Sequence, residues 1–159
     1  MPTKLQLFEN MSGAGVRTSH AIELGALVMP LQGAWVDTPT RFTLQIEEGK
    51  HLLPEGQLWA WVNHSCSPNL RVDTQKMSFV AVRPIAPEEE LTFNYLSTEW
   101  TMAEPFECKC QALDCIGWIA GFSLLMARHH DRVMPLASEM IAQKRTTHLT
   151  CDENEITTS

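Results

Sequence analysis

The chain has 159 residues, of which 44% are hydrophobic, and a formal net charge of −7, which fits one soluble domain with a core of its own. No apolar run reaches the roughly 18 residues of a membrane-spanning helix, and residues 1–6 lack the pattern of a signal peptide. We therefore expect a cytoplasmic protein, nuclear if eukaryotic, with no membrane partner. The acidic balance argues against direct binding to nucleic acid and suits a basic substrate.

Short strands separated by turns are predicted for the first hundred residues. The segment 41–47 alternates polar and apolar residues with a period of two, which predicts a half-buried strand followed directly by a turn. In 91–95 the same alternation places Leu91, Phe93 and Tyr95 on one face. The strands predicted in chain order are 4–8, 25–31, 41–47, 77–82 and 91–95.

The last forty residues are predicted to be helical. One helix is expected over 122–133, and Pro135 suits the first turn of a second helix. The apolar face of that second helix comprises Leu136, Ala137, Met140 and Ile141. A solvated tail is predicted from the acidic residues Asp152, Glu153 and Glu155. A β-rich body followed by helices resembles neither a doubly wound sheet nor a helix bundle.

A cluster of cysteines indicates a metal site. Cys108, Cys110 and Cys115 fall within eight residues in a C-x-C-x4-C pattern, and thiolates so spaced can share one tetrahedral zinc ion. The fourth ligand must come from elsewhere in the chain, with Cys66, Cys151 or a histidine as candidates. A disulfide with one free thiol is the alternative. A zinc ion with four protein ligands leaves no position for water, so the site is expected to be structural.

Three further segments carry polar or glycine residues of interest. Asn63 begins the run N-H-S-C-S-P-N directly after an apolar segment, where an ordinary turn is one interpretation. A Cys–His nucleophile at Cys66 and His64 is another, but no oxyanion-binding or orienting group accompanies the pair. The segment 13–15 reads G-A-G, which lets backbone approach a ligand but is also typical of a simple turn. Tyr95 is the single tyrosine and ends a predicted strand.

The order of these segments resembles the SET-domain methyltransferase family with its post-SET zinc module. G-A-G-V, N-H-S-C-S-P-N, E-E-L-T-F-N-Y and C-x-C-x4-C follow one another at the family's approximate spacing, over roughly residues 5–120. The resemblance implies a mainly β (α+β) fold of several small sheets, with a knot-like threading of the C-terminal segment. It divides the chain into a SET domain (1–105), a post-SET zinc segment (106–121), and a helical extension with an acidic tail (122–159).

The resemblance also implies roles for individual residues. Tyr95 would be the catalytic tyrosine, beside the methyl donor and the target nitrogen, and Cys66 would be the fourth zinc ligand, which leaves Cys151 as a free thiol. S-adenosylmethionine would be bound by Gly13, Ala14, Gly15, Asn63, His64 and Tyr95. The zinc ligands would be Cys66, Cys108, Cys110 and Cys115.

The implied reaction is transfer of a methyl group to a lysine side chain of a protein such as a histone. Lysine has a reference pKa of about 10.4, so it must lose a proton before it can attack, and an apolar channel favours that loss. Tyr95 is then expected to orient the amine and the methyl group rather than to act as a base. The alternatives are a tailoring enzyme for a small-molecule amine, a silent SET-fold binding module, and a zinc-stapled interaction domain.

The chain departs from the family pattern at three positions. Arg17 stands where many members have an aromatic residue, and Ala60 replaces a commonly basic one. The second tyrosine of many lysine-methylating members is absent, and Phe42 lies near its place.

The missing second tyrosine generates a prediction about the product. Hydroxyl groups in the amine channel limit how many methyl groups fit, so we expect this protein to form di- or trimethylated amines. Mass spectrometry of the product measures the number of methyl groups. A product that stops at one methyl group at complete turnover would contradict the prediction.

Overall fold

A computed structural model describes the backbone of residues 5–156 and the side chains of residues 5–147. Most of its regular structure is short strands, as predicted. The strands are β1 (Leu5–Asn10), β2 (Gly13–Thr18), β3 (Leu27–Pro30), β4 (Ala34–Val36), β5 (Leu44–Glu47), β6 (Lys50–Leu53), β7 (Asn63–His64), β8 (Leu70–Asp73), β9 (Ser78–Ala81), β10 (Thr92–Phe93), β11 (Phe106–Glu107) and β12 (Trp118–Ile119). The α-helices are α1 (His130–Val133) and α2 (Glu139–Ile156). Short 3₁₀ turns cover Leu58–Trp61, Tyr95–Ser97, Phe122–Leu124, Ala127–His129 and Met134–Leu136.

The strands form several small sheets. β1 and β2 make an antiparallel hairpin, β4, β6 and β5 form a second sheet in that order, and β11 pairs with β12. The largest sheet has the order β3-β9-β8-β10-β7. The predicted fold class, a mainly β architecture of small sheets with few helices, is confirmed.

Strand β10 lies between two strands that are neighbours in sequence. It runs parallel to both, with Thr92 opposite Asn63 and Phe93 opposite His64 on one side, and Phe93 opposite Leu70 on the other. Since β7 and β8 are joined by residues 65–69, the later segment is inserted between the two ends of that connection. This is the topology that the predicted threading requires, and it carries Tyr95, two residues after β10, to the side of β7.

A buried asparagine holds this insertion in place. Asn69 is 1% exposed. Its Oδ1 accepts a hydrogen bond from the Thr92 backbone N–H at 2.9 Å, and its Nδ2 donates to the Glu90 carbonyl at 2.8 Å. Both hydrogen bonds are shielded from water, so they fix the register of β10 against the start of β8.

Two apolar clusters meet at Tyr95. The first packs the sheets around residues such as Val16, Leu70 and Phe79, all fully buried. The second joins the cysteine segment to the C-terminal helices through side chains that include Ile119 and Ile141. Tyr95 packs against both clusters. The domain boundaries at 105/106 and 121/122 stay a prediction.

The strand predicted over 41–47 is shorter and more buried than its pattern indicates. It begins at Leu44, and the polar residue Gln45 is only 6% exposed. The Gln45 backbone N–H donates to the Glu99 carboxyl, and its side-chain oxygen accepts from the Trp100 N–H at 3.0 Å. The prediction of a half-buried strand is wrong here because hydrogen bonds to Glu99 and Trp100 satisfy the backbone and the side chain of Gln45 inside the protein. The predicted turn is present at Glu48–Gly49.

The single helix predicted over 122–133 is wrong, because the segment forms two 3₁₀ turns, and only its last four residues form the short helix α1. The backbone is extended at Leu125 and Met126. Phe122 is buried and stacks on Trp100 with ring centroids 5.9 Å apart, and the His130 ring also packs against Phe122, at 4.7 Å between centroids. Packing around one aromatic ring thus overrides the local helical pattern.

The second helix, α2, begins at Glu139 rather than at Pro135, which lies in a separate 3₁₀ turn. The Ser138 hydroxyl accepts from the Ile141 N–H and caps the first turn. Helix α2 continues through the predicted tail, and the side chains of Cys151, Asp152, Glu153 and Glu155 lie outside the described residues. No helix within residues 5–156 has the length and apolarity needed to cross a bilayer.

Gly121 provides a test of the second cluster. It has φ of +114°, and an added Cβ would lie 2.5 Å from the Trp100 carbonyl oxygen and 2.7 Å from the Thr101 Cα. We expect Gly121→Ala to lower the free energy of unfolding by about 2–4 kcal/mol, from backbone strain plus a clash with rigid backbone.

The matched control is Gly56→Ala. Gly56 also has positive φ, +81°, but open space around the Cβ position, so only the strain of about 1–2 kcal/mol applies. Urea denaturation measures both variants. Equal losses would contradict the assigned clash.

Candidate active site and metal centre

Tyr95 lies between two pockets of different character. The first is polar and open, and its wall includes Gly13, Ala14, Asn63 and His64. The second is narrow and largely apolar, and Tyr95 belongs to the wall of both. The second pocket, called the channel below, is lined by Thr40, Arg41, Phe42, Thr43, Leu44, Trp59, Ala60, Val62, Phe93, Tyr95, Glu99, Met102, Ala103 and Glu104.

The hydroxyl and backbone of Tyr95 are both fixed by residues around β7. The hydroxyl donates to the Val62 carbonyl at 2.9 Å, and the backbone N–H donates to His64 Nδ1 at 3.0 Å. Burial raises the pKa of Tyr95 well above its ordinary value, and the Glu99 carboxylate adds to that rise. Tyr95 is therefore a neutral hydrogen-bonding group at physiological pH, which agrees with an orienting role and excludes a phenolate base.

His64 connects Tyr95 to the cysteine cluster. Because its Nδ1 accepts from the Tyr95 N–H, the ring proton lies on Nε2, which is 3.3 Å from Cys66 Sγ. Burial lowers the pKa of His64 to about 4, so the ring is neutral and this tautomer is the stable one. The imidazole thus positions the tyrosine backbone and one sulfur atom at the same time.

Only two of the three residues 13–15 line the polar pocket. Gly13 and Ala14 line the pocket, and nothing lies within 4 Å of the position of a Cβ at Gly13. Asn63 Nδ2 donates to the Ala14 carbonyl at 2.7 Å and to Glu90 at 2.9 Å. Gly15 is buried and does not line the pocket. Its missing Cβ instead makes room for Glu90, whose carboxyl oxygen lies 2.5 Å from the position of that atom.

The polar pocket fits a cofactor of the size and polarity of S-adenosylmethionine. The exposed backbone of residues 13–14 presents peptide groups without an intervening side chain, and Asn63 and the half-buried Glu90 supply polar atoms beside it. Contacts of the cofactor with Gly13, Ala14, Gly15, Asn63, His64 and Tyr95 stay predictions.

The four predicted cysteines come together. The sulfur atoms of Cys66, Cys108, Cys110 and Cys115 all lie within 4.8 Å of one another. The Sγ of Cys66 is 3.8 Å from that of Cys108 and 4.0 Å from that of Cys115. Zinc–sulfur bonds of about 2.3 Å in a tetrahedron separate the sulfur atoms by about 3.8 Å, so the donor set fits one zinc ion.

The predicted alternative of a disulfide finds no support among these residues, because all four cysteines are free. In the absence of metal, burial raises the pKa of Cys66 to about 11. A divalent cation would reverse that preference, since thiolates rather than thiols bind zinc.

Sequence reasoning missed one feature of the site, the burial of Glu99. Glu99 lies in the channel wall although its neighbours in sequence give no sign of burial. Phe106 lines the polar pocket and packs edge-on against His64 and Tyr95, at 5.7 and 5.9 Å between centroids. Trp100 and Phe106 are the two aromatic residues of the connection after Tyr95 that the sequence offers as covers of the cofactor or substrate channel. The Trp100 ring instead stacks on Phe122, and the Lys144 ammonium group lies 4.9 Å from its centroid.

The SET-domain family profile matches residues 13–96, which is more than half of the chain. This segment contains the glycine strand, the Asn63–His64 pair and Tyr95. The chain belongs to the SET-domain family of methyltransferases.

Particular relatives differ in how much of them the chain covers. It is 33% identical over 153 residues to methyltransferase flvH of Aspergillus flavus, covering 92% of this chain and 85% of the relative. It is 31% identical to an H3 lysine-36 specific histone-lysine N-methyltransferase of Chaetomium globosum, covering 69% of this chain but 15% of the relative. Histone-lysine N-methyltransferase Set2 of Drosophila melanogaster is 37% identical over 75 residues, which is 3% of its length.

Solved structures share the fold. KRYPTONITE in complex with mCHG DNA and SAH superposes with a TM-score of 0.63 at 25% identity, over 74% of this chain and 29% of the other. A second complex of KRYPTONITE, with mCHH DNA, an H3(1–15) peptide and SAH, gives a TM-score of 0.59 at 26% identity. The chain thus spans less than a third of these structures.

The cysteine geometry predicts the effect of removing one ligand. We expect the purified protein to carry one zinc ion per chain and Cys66→Ser to lose most of it, with a lower melting temperature, because the three remaining thiolates all come from one short segment. Metal analysis by mass spectrometry and thermal denaturation measure the two effects.

The control is Cys151→Ser, which removes a cysteine outside the predicted ligand set. It is expected to retain the zinc. Full zinc occupancy in Cys66→Ser would overturn the assignment of Cys66 as a ligand.

Proposed function

We propose that this protein transfers methyl groups from S-adenosylmethionine to the side-chain amine of lysine in a protein or peptide such as a histone. The observation that carries the proposal is the position of Tyr95, which belongs to the wall of the polar pocket and to the wall of the channel. A cofactor in the pocket and an amine in the channel would both lie against this residue.

The channel has the chemistry that an alkyl amine requires. Phe42, Trp59 and Phe93 supply aromatic surface for a four-carbon stem, and aromatic faces also attract a cationic end group. Such walls exclude water, which disfavours the ammonium form and favours the neutral nucleophile.

The residues of the chain orient the reactants, and the cofactor supplies the electrophile. S-adenosylmethionine brings a methyl group on a positively charged sulfur when it is bound. The Tyr95 hydroxyl is fixed by its hydrogen bond to the carbonyl of Val62, the residue before β7. The two oxygen atoms can therefore align an amine nitrogen for in-line attack. The cysteine cluster with its zinc ion would hold the segment after Tyr95 against β7.

The family members support a lysine substrate. Relatives with matching sequence are histone-lysine N-methyltransferases, and one solved neighbour contains an H3 peptide. The net charge of −7 also suits a lysine-rich partner. We accordingly propose action in the cytoplasm, or in the nucleus of a eukaryote.

A specific observation favours a second candidate, a small-molecule amine as substrate. The chain matches methyltransferase flvH along 85% of that protein's length, whereas it covers 15% or less of the two histone-lysine relatives described above. Its organisation is therefore shared with a methyltransferase of similar size. The channel accepts an alkyl amine whether or not a peptide is attached to it.

Labelled methyl transfer in a cell lysate distinguishes the two substrates. The protein is incubated with S-adenosylmethionine radiolabelled on the methyl group, and the protein and small-molecule fractions are separated. Label in protein supports the lysine substrate, and label only among small molecules supports the second candidate. Label in neither fraction, despite cofactor binding, would contradict both and favour a silent binding module.

Tyr95→Phe is the matched variant for this experiment. We expect turnover to fall at least tenfold, because the hydroxyl group acts on the reacting atoms, with cofactor affinity nearly unchanged. Isothermal titration calorimetry measures the affinity. A collapse of cofactor affinity would instead make Tyr95 a binding or structural residue.

A further inference from the structure

The channel contains a buried carboxyl group that the proposed function does not use. Glu99 is 9% exposed and lines the channel together with Tyr95. It follows the 3₁₀ turn that begins at Tyr95, and its backbone N–H donates to the Tyr95 carbonyl at 2.9 Å. The short turn therefore fixes the carboxyl group relative to the tyrosine.

Few groups of the protein satisfy this carboxyl group. Both of its oxygens accept from the backbone N–H of Gln45, at 3.2 and 3.1 Å, and the Thr98 side chain hydrogen-bonds to it as well. An ionised carboxylate has about four acceptor positions. Acceptor capacity is thus left for a donor that enters the channel.

No cation of the described residues neutralises Glu99. Within residues 5–147, no salt bridge involves its carboxyl group. The other charged residues of the channel wall are Arg41 and Glu104, which are each 63% exposed and lie 3.9 Å apart, paired with one another. They mark the solvent side of the channel, whereas Glu99 marks its buried side.

A buried carboxylate without a countercharge is costly unless a cation joins it. The substrate amine arrives as a cation, since an alkyl ammonium with a pKa of about 10.4 is almost fully protonated at neutral pH. The same cation must lose a proton before it can attack, and an apolar channel offers few acceptors. Glu99 is the buried carboxyl group in the channel wall.

We propose that Glu99 binds the substrate ammonium group inside the channel and accepts its proton before methyl transfer. This inference deepens the proposed function and rests on it. The proton of the substrate ammonium then goes to a residue of the protein. The alternative is its direct release to bulk water.

The step balances as follows. An N–H bond of the ammonium breaks, the proton binds one Glu99 oxygen, and the electron pair of that bond remains on nitrogen. The neutral amine then forms a bond to the methyl carbon, and the electron pair of the broken carbon–sulfur bond stays on sulfur. The product leaves as a methylammonium ion, and Glu99 returns its proton to water.

The acidity of Glu99 suits this role. Burial raises the pKa of Glu99 to about 7, so the group is near the midpoint of its titration at neutral pH, where an acid–base group works best. Arg41, Glu104 and the neutral Tyr95 are the other titratable groups of the channel wall. Above pH 7 Glu99 is mostly ionised and can accept a proton, whereas below pH 7 it is mostly protonated and cannot.

The first test observes Glu99 directly and needs no turnover. Protein labelled with ¹³C on glutamate carboxyl carbons, loaded with S-adenosylhomocysteine, is titrated with n-butylammonium as a probe of the lysine side chain. We expect the resonance that Glu99→Gln removes to shift, and its titration midpoint to fall by about one unit or more, because a nearby cation stabilises the carboxylate.

n-Butanol has a similar alkyl chain without the charge and is the matched control ligand. It should leave the midpoint unchanged. No response to n-butylammonium, or an equal response to n-butanol, would overturn the proposal.

The second test uses the substrate fraction that becomes labelled in the transfer experiment. In the native protein, kcat/KM, which reports groups of the free enzyme, should fall as pH drops below 7. In Glu99→Gln we expect at least a tenfold loss at pH 7.5 that narrows toward pH 9.5, where solution supplies the neutral amine. Glu99→Asp keeps a carboxylate and should retain the pH profile at a reduced rate.

A purely structural role for Glu99 would lower the rate equally at every pH, and that result would also overturn the proposal. Cofactor affinity measured on Glu99→Gln reports whether the polar pocket is intact. A response to n-butylammonium without labelled product would sustain the amine site while refuting the proposed function. Labelled product without a response of Glu99 to n-butylammonium would support the proposed function and refute the amine site at Glu99.

Discussion

The insertion of β10 between β7 and β8 is the constraint on which the rest of this structure depends. Two residues, Thr92 and Phe93, complete the largest sheet, and Asn69 fixes their register from inside the protein. Without that insertion, Tyr95 would have no neighbour in β7 and the two pockets would not share a wall. The apolar clusters on each side are likewise joined through this one segment.

From this arrangement follows a close connection between the metal centre and the reacting groups. The imidazole of His64 accepts from the tyrosine backbone and directs its other nitrogen to Cys66. One ring therefore sets both positions, and its low pKa keeps the ring neutral, so that Nδ1 can accept the hydrogen bond. Cys108 and Cys110 of the cysteine cluster also line the polar pocket, so the metal centre borders the proposed cofactor site.

The sequence predicted the parts of this molecule that short motifs encode. The cysteine spacing indicated a cluster with a distant fourth member, and Cys66 does join Cys108, Cys110 and Cys115. The small sheets followed from short alternating segments and from the family resemblance. These features depend on residues whose chemistry is unusual enough to be recognised locally.

The features that were missed depend on tertiary partners. Gln45 is buried because the segment after Tyr95 offers it two partners, and no periodicity within 41–47 contains that information. Residues 122–133 do not form one helix because the Phe122 ring packs against both Trp100 and His130. Glu99 reads as an ordinary surface acid until its contact with β5 is known.

The position of Cys66 has a consequence for the lifetime of the folded state. Cys66 belongs to the connection 65–69, and its sulfur partner Cys108 is 42 residues further along the chain. A metal ion shared by these residues would close a ring of chain, residues 66–108, that contains β10. Complete unfolding of this segment would then require the ligands to separate, so bound metal would slow the rate of unfolding. The protein would resist proteolysis for as long as its cysteines stay reduced and loaded, and oxidation would end that protection.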